Sequence, residues 1–358
     1  MIILISCRKE GETPDPSIVD EMYFPAVNSD EWGTASPESV NWNAEAVNNL
    51  YDALYQNGTR AFILLKNGRI VLEKYWGKNV TNTAPFDKDT FWYWASAGKT
   101  LTAFLIGIAQ QDGDLNIDHK TSDYLGNNWS SLAADKEELI LIRHQLTMTT
   151  GLDYEVADPD CTNPNCLQYK ADPGTQWYYH NAPYTLLEKV VSNAVGMSFN
   201  EYTDLKIENP IGMIGTWLPL GSNNVYFSTA RSAARFGLLL LNKGIWNETT
   251  VLGDLDYINA LSNSSQTLNP AYGYLTWLNG KSSIVFPGSP TSVNVKLSTS
   301  APDDLFAAVG LNGQFIGVVP SEGLVLVRLG EAPDNASVPV VFHDEMWKKI
   351  NAVIKKSN

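Results

Sequence analysis

The run "LFAAVGLNGQFIGVVPSEGLVLVRLG", residues 305–330, decides the architecture. It reads as two β-strands, residues 305–319 and 324–329, joined across Pro320-Ser321-Glu322-Gly323. Near the other end of the chain, "AFILLKNGRIVLEKYW" (61–76) supplies two more strands, broken at Asn67-Gly68, the strongest short hairpin signal. A helical spacing of apolar residues precedes that hairpin, from about Asn43 to Tyr55, and the amphipathic "VFHDEMWKKINAVI" closes the chain. Helix and strands at both ends predict one antiparallel sheet built from the two termini, with the terminal helices packed on one face.

Between these ends, helical segments such as "YTLLEKVVSNAV" and "STARSAARFGLLLLNKG" alternate with long loops. The expected fold is therefore α/β of the α+β kind. An α/β sheet domain takes residues 39–100 and 244–358, a mainly helical domain is inserted as 101–243, and 1–38 forms the start and a tether. A cleft is expected at the seam. No internal repeat or low-complexity tract is present.

Composition narrows the class of function. The 358 residues are 44% hydrophobic, as suits a globular chain, and 39 acidic against 25 basic residues leave a net charge of −14. No Lys/Arg run offers the basic footprint that nucleic acid requires, so the acidity reads as solubility. No stretch approaches the ~20 consecutive apolar residues of a membrane-spanning helix. Eleven Trp, sixteen Tyr and twelve Phe suit a lined cleft and a plain aromatic core equally.

The opening "MIILISC" is too short for a whole signal peptide, but Leu4-Ile5-Ser6-Cys7 resembles a bacterial lipobox. That resemblance makes Cys7 a lipidation site and a possible membrane anchor. The protein would then be exported, as a periplasmic or outer-membrane lipoprotein, with the polar "RKEGETPDPS" as its tether. The plainer reading is a hydrophobic start with an unremarkable cysteine. Cys161 and Cys166 lie in the turn-rich "DPDCTNPNC", where an exported protein would join them in a small-loop disulfide. Zinc is disfavoured, since only His144 and His180 lie nearby in sequence and without finger-like spacing.

Three stretches carry candidate chemistry. In "FWYWASAGKTLTAFLIGIAQQ" (91–111), Ser96 and Lys99 share one face of a helix's first turn. A buried lysine at a helix start has a lowered pKa and is able to take a serine's proton. A serine that merely caps a core helix explains the pair equally well on its own. In "DPGTQWYYHNAPYTLLEKVV" (172–191), Tyr179 is presented ahead of a helix as a proton relay. Asn181 is suited to orient a lysine or a substrate carbonyl. Trp177 and Tyr178 read as packing, and His180 is expected to point away. In "AAVGLNGQF" (307–315), Gly310 and Gly313 within a strand mark a bulge or a close approach to the backbone, the latter by substrate. Leu311 N–H would then complete an oxyanion hole with Ser96.

Taken together, in this order and spacing, the three elements resemble the serine β-lactamase and penicillin-binding protein superfamily, from about Trp42 to the final helix. "LIRHQLTMTTGLDY", "ENPIGMIGTW" and "FSTARSAARFGLLLLNKG" resemble its class C and esterase-type members. The resemblance makes Ser96 the acylated nucleophile, Lys99 its activator, and Tyr179 the general base or relay. Asn181 positions Lys99 or substrate. The backbone N–H groups of Ser96 and Leu311 form the oxyanion hole, and Gly310, Asn312 and Gly313 line the substrate site. No metal or organic cofactor is implied.

The third motif departs from the superfamily. Where β-lactamases and transpeptidases show Lys-Thr-Gly, this chain has Val309-Gly310-Leu311, without the cation that helps hold a substrate carboxylate. "GLNGQ" is closer to the esterases and nylon-oligomer hydrolases, so the expected substrate is a small carboxylic ester, a linear amide or a peptide. The alternatives are a β-lactamase or D-amino-acid peptidase that borrows Arg231 or Arg328 as carboxylate partner, and a non-catalytic cell-envelope binding lipoprotein.

Overall fold

Six strands make the main sheet: β1 (Thr59–Lys66), β2 (Arg69–Tyr75), β6 (Trp277–Leu278), β7 (Phe306–Gly310), β8 (Gln314–Val319) and β9 (Leu324–Gly330). The computed structural model describes residues 21–336 and 338–354; Cys7 lies outside the described residues. The strand order is β2-β1-β9-β8-β7-β6, every pair antiparallel. The two ends of the chain meet at β1 and β9, where Phe62 lies opposite Arg328. Asn67 and Gly68 both have positive φ, 46° and 82°, the conformation that a tight hairpin between twisted strands needs.

β8 and β9 are buried along their whole length, as a sheet covered on both faces requires. On one face lie α1 (Val47–Gln56) and α6 (Val340–Ile354). Phe342 of α6 stacks on Phe315 with ring centroids 6.4 Å apart, and the N–H of Asn43 donates to the Val353 carbonyl at 2.7 Å, tying the two terminal helices together. On the opposite face α4 (Ala230–Leu241) crosses β8 and β9.

The helix α2 (Gly98–Asp112), which follows the serine, is buried at every position from Gly98 to Ala109, the mark of a helix that is enclosed on all sides. It touches β7 on one side and α3 (Asn181–Val195) and α5 (Leu255–Ser262) on the other, so it lies between the sheet and the helical layer. Cys161 and Cys166 form a disulfide, Cα atoms 5.9 Å apart, in the loop before α3.

Two local expectations need correction. Residues 305–319 are two strands, β7 and β8, because Asn312 and Gly313 adopt positive φ (63° and 73°) and turn the chain back on itself. A small antiparallel sheet also links the two parts: β3 (Trp92–Tyr93), ahead of the stretch read as mainly helical, joins β4 (Gly215–Leu220) and β5 (Asn223–Ser228) inside it, in the order β3-β5-β4. Among the described residues no helix is long and apolar enough to cross a membrane.

Candidate active site

The aromatic run before Ser96 is an anchor. Trp92 and Tyr93 pair with Ser228 and Phe227 of β5, and Trp94, fully buried, donates its ring N–H to Ser228 Oγ at 2.8 Å. The chain then makes one 3-10 turn, Ala95–Ala97, directly into α2. Ala95 is held at φ 47°, a left-handed conformation that costs a non-glycine residue about 1–3 kcal/mol and that clusters at functional sites. Ser96 is thereby partly exposed at the head of a buried helix.

Lys99, one turn on, is 3% exposed, and its Nζ–H donates to Ser96 Oγ at 3.1 Å. The amine also sits 4.1 Å from the ring centre of Tyr184 and 5.1 Å from that of Tyr179. Burial pulls its pKa down from 10.5 to about 7, against the opposing charges of Asp160 and Glu188. Tyr179 sits beside Ser96, and its ring stacks on Trp277 and meets Tyr272 edge-on. Burial pushes this phenol well above its ordinary range, so it stays protonated at neutral pH and suits a relay better than a base.

The third stretch arrives from the sheet. A Cβ on Gly310 would fall 2.3 Å from the Trp94 carbonyl oxygen and 3.0 Å from the Ala97 nitrogen. What approaches Gly310 is thus the backbone of the serine turn, where the sequence suggested substrate. Leu311 follows and is 49% exposed. Asn312 donates its side-chain amide to the Tyr93 hydroxyl at 2.9 Å, and Gly313 is buried with its carbonyl accepting from Arg328. Both therefore hold the turn.

The beta-lactamase family profile matches residues 48–340. The chain belongs to the beta-lactamase family. Among curated relatives it resembles protein flp of Staphylococcus aureus strain MW2, 26% identical over 160 residues, and a beta-lactamase of Pseudomonas fluorescens, 24% over 162. These matches take in 40% and 43% of this chain but only 31% and 44% of the relatives, so the chain spans less than half the length of each.

Solved structures share the beta-lactamase-family fold at low identity. One is a putative beta-lactamase from Bacteroides dorei DSM 17855 (TM-score 0.69, 16% identity, 88% of this chain and 100% of that one). Another is a putative 6-aminohexanoate-dimer hydrolase from Bacillus anthracis (0.68, 16%, 92% and 89%). A third is EstCE1, described as a hydrolase with promiscuous acyltransferase activity (0.63, 14%, 88% and 99%).

In this family member the two arginines considered as carboxylate partners are engaged elsewhere. Arg231 makes a two-pronged ion pair with Glu73, both contacts at 2.7 Å. Arg328 is fully buried and donates to the carbonyls of Asn57, Asn312, Gly313 and Glu331. Asn181, at the start of α3, turns its amide nitrogen to Asp160 Oδ1 at 2.8 Å and leaves its buried Oδ1 without a partner. His180 is buried and set edge-on to Tyr178, while Trp177 packs against Tyr272 and Trp277.

Four residues around Lys99 and Tyr179 escaped the sequence reading: Asp160, Tyr184 and Glu188 about the amine, and Trp277 against the phenol ring. Tyr184 and Glu188 follow Asn181 at intervals that keep one helix face, which was the available signal. Burial raises Glu188 to about 7, with Asn224 donating to its Oε2 at 2.8 Å. Among the described residues no group of three or more His, Cys, Asp or Glu is placed to hold a metal. Two cavities, of about 450 Å3 beside Leu240 and Phe306 and of about 620 Å3 beside Asn116 and Arg143, include none of these residues, so chemistry marks the site better than size does.

Proposed function

We propose that the protein is a serine hydrolase that acts through an acyl-enzyme at Ser96 on small carboxylic esters or linear amides. One observation carries this reading: Ser96 Oγ lies 3.1 Å from a buried lysine whose pKa is about 7. In its neutral form Lys99 takes the serine proton as Oγ attacks the carbonyl carbon, and the carbonyl electron pair moves onto oxygen. The N–H groups of Ser96 and Leu311 stabilise that oxyanion, a contribution of about 3 kcal/mol per donor. The Tyr179 hydroxyl relays a proton to the leaving group. Water then releases the acyl group by the reverse route.

The engagement of both candidate arginines elsewhere supports esters and linear amides over β-lactams. A β-lactamase or D-amino-acid peptidase needs a counter-charge for the substrate carboxylate, and Arg231 and Arg328 are both committed to other partners. An intact Ser96, Lys99 and Tyr179 set weighs against a binding lipoprotein without turnover. The Cys161–Cys166 disulfide favours an oxidising, exported setting, with Cys7 as the candidate lipid attachment.

A short-chain p-nitrophenyl ester and nitrocefin, each offered to the wild type and to Ser96→Ala, test the reading. Ester turnover reduced at least about a thousandfold in the variant, with nitrocefin untouched, is the expected result. Rapid nitrocefin hydrolysis would move the assignment to a β-lactamase, and Ser96-independent ester turnover would remove the nucleophile.

A further inference from the structure

Asp160 belongs to none of the three motifs, yet it bridges the two elements behind Lys99. Its Oδ1 accepts from the amide of Asn181, the first residue of α3, at 2.8 Å, and its Oδ2 accepts from the amide of Asn223, the first residue of β5, at 3.3 Å. The Asp160 N–H is itself fixed, donating to Asp158 Oδ1 at 3.0 Å, and the disulfide begins at the next residue. The carboxylate is therefore held from both sides of its own loop.

The consequence falls on Asn181. With its nitrogen committed to Asp160, its oxygen has one orientation left, and that oxygen is buried without a protein partner. Buried acceptors rarely stay unmet, so this oxygen is left for a donor that the protein itself does not supply. The charged and titratable groups facing Lys99 are few: Tyr179 from the loop before α3, Tyr184 and Glu188 from α3, and Asp160 from the disulfide loop. Of these, Asp160 alone ties its charge to the Asn181 amide.

We propose that Asp160 is a positioning residue of the acyl-transfer site: it grips the Asn181 amide nitrogen and keeps Asn181 Oδ1 available to a donor from substrate or solvent. Its negative charge also faces the Lys99 amine. This rests on reading Ser96 and Lys99 as the acyl-transfer pair. A merely structural carboxylate would change stability and leave the pH dependence where it was. A positioning carboxylate changes both rate and titration.

The test compares wild type, Asp160→Asn and Asp160→Glu on p-nitrophenyl acetate across pH, together with an NMR titration of Lys99 in 13C-lysine-labelled protein. In Asp160→Asn, kcat falls about tenfold with KM little changed, the loss of one charge-assisted hydrogen bond. The acid limb and the Lys99 titration both move to lower pH, since a negative charge that favoured the ammonium is gone. Asp160→Glu restores the position of the limb. An unmoved Lys99 titration with kcat within twofold of wild type would overturn the proposal. Should Asp160→Asn not fold, Asp160→Ser is titrated in its place. If the wild type shows no Ser96-dependent turnover, the hydrolase reading fails by itself, while the Lys99 titration still decides for or against Asp160.

Discussion

Burial draws the Lys99 ammonium from an ordinary 10.5 to about 7, and the negative charges of Asp160 and Glu188 stop it from falling further. The sign of the pH dependence follows. Below about 7 the amine carries a proton and is unable to take another from Ser96, so kcat/KM on an ester is expected to rise about tenfold per pH unit up to that point and then level off. Glu188 titrates in the same range, so the apparent value belongs to the assembly. Tyr179, held protonated by burial, imposes no acid limb of its own. A limb near the ordinary lysine value, or none, would remove Lys99 as the base. Ser96, Lys99 and Tyr179 were legible in the sequence because motif spacing survives translation into structure. Asp160 was not, since its meaning comes from a contact with Asn181 across 21 residues of loop.

The hairpin β7–β8 is the element that joins the sheet to the site. Gly310 ends β7 against the backbone of the serine turn, and no side chain fits there. Gly310→Ala would set a Cβ against the Trp94 carbonyl and the Ala97 nitrogen, neither of which yields like the end of a flexible side chain. The expected cost is about 1–3 kcal/mol of stability, with ester turnover lowered tenfold or more as the Ser96 and Leu311 N–H groups lose register. Thermal melting and ester kinetics on the same preparation check both, and an unchanged kcat would show that the strand end does not set the oxyanion geometry. The Asn67-Gly68 hairpin was readable from its dipeptide. The same dipeptide at Asn312-Gly313 was absorbed into a strand because apolar residues flank it closely on both sides. The β4–β5 ribbon was hidden for another reason: Pro219 and the Gly221-Ser222-Asn223-Asn224 stretch blur its alternation.

At the scale of the whole molecule, the site is assembled from parts of the chain far apart in sequence. The serine turn hangs from β5, Tyr179 is delivered by the loop into α3, and Leu311 comes from the sheet that the two chain ends close together. The closure itself was legible, since apolar strands at both ends have few other partners. The way α4 covers the second face was less so, because helix packing depends on side-chain fit that a sequence pattern does not encode. The central claim is that carbonyl substrates pass through a covalent bond to Ser96. It is tested most directly by intact-protein mass spectrometry of an acid-quenched reaction with p-nitrophenyl acetate. One acetyl adduct per chain, mapped to the Ser96 peptide and absent from Ser96→Ala, is the predicted result. Turnover with no adduct, or an adduct on another residue that survives in Ser96→Ala, would contradict it.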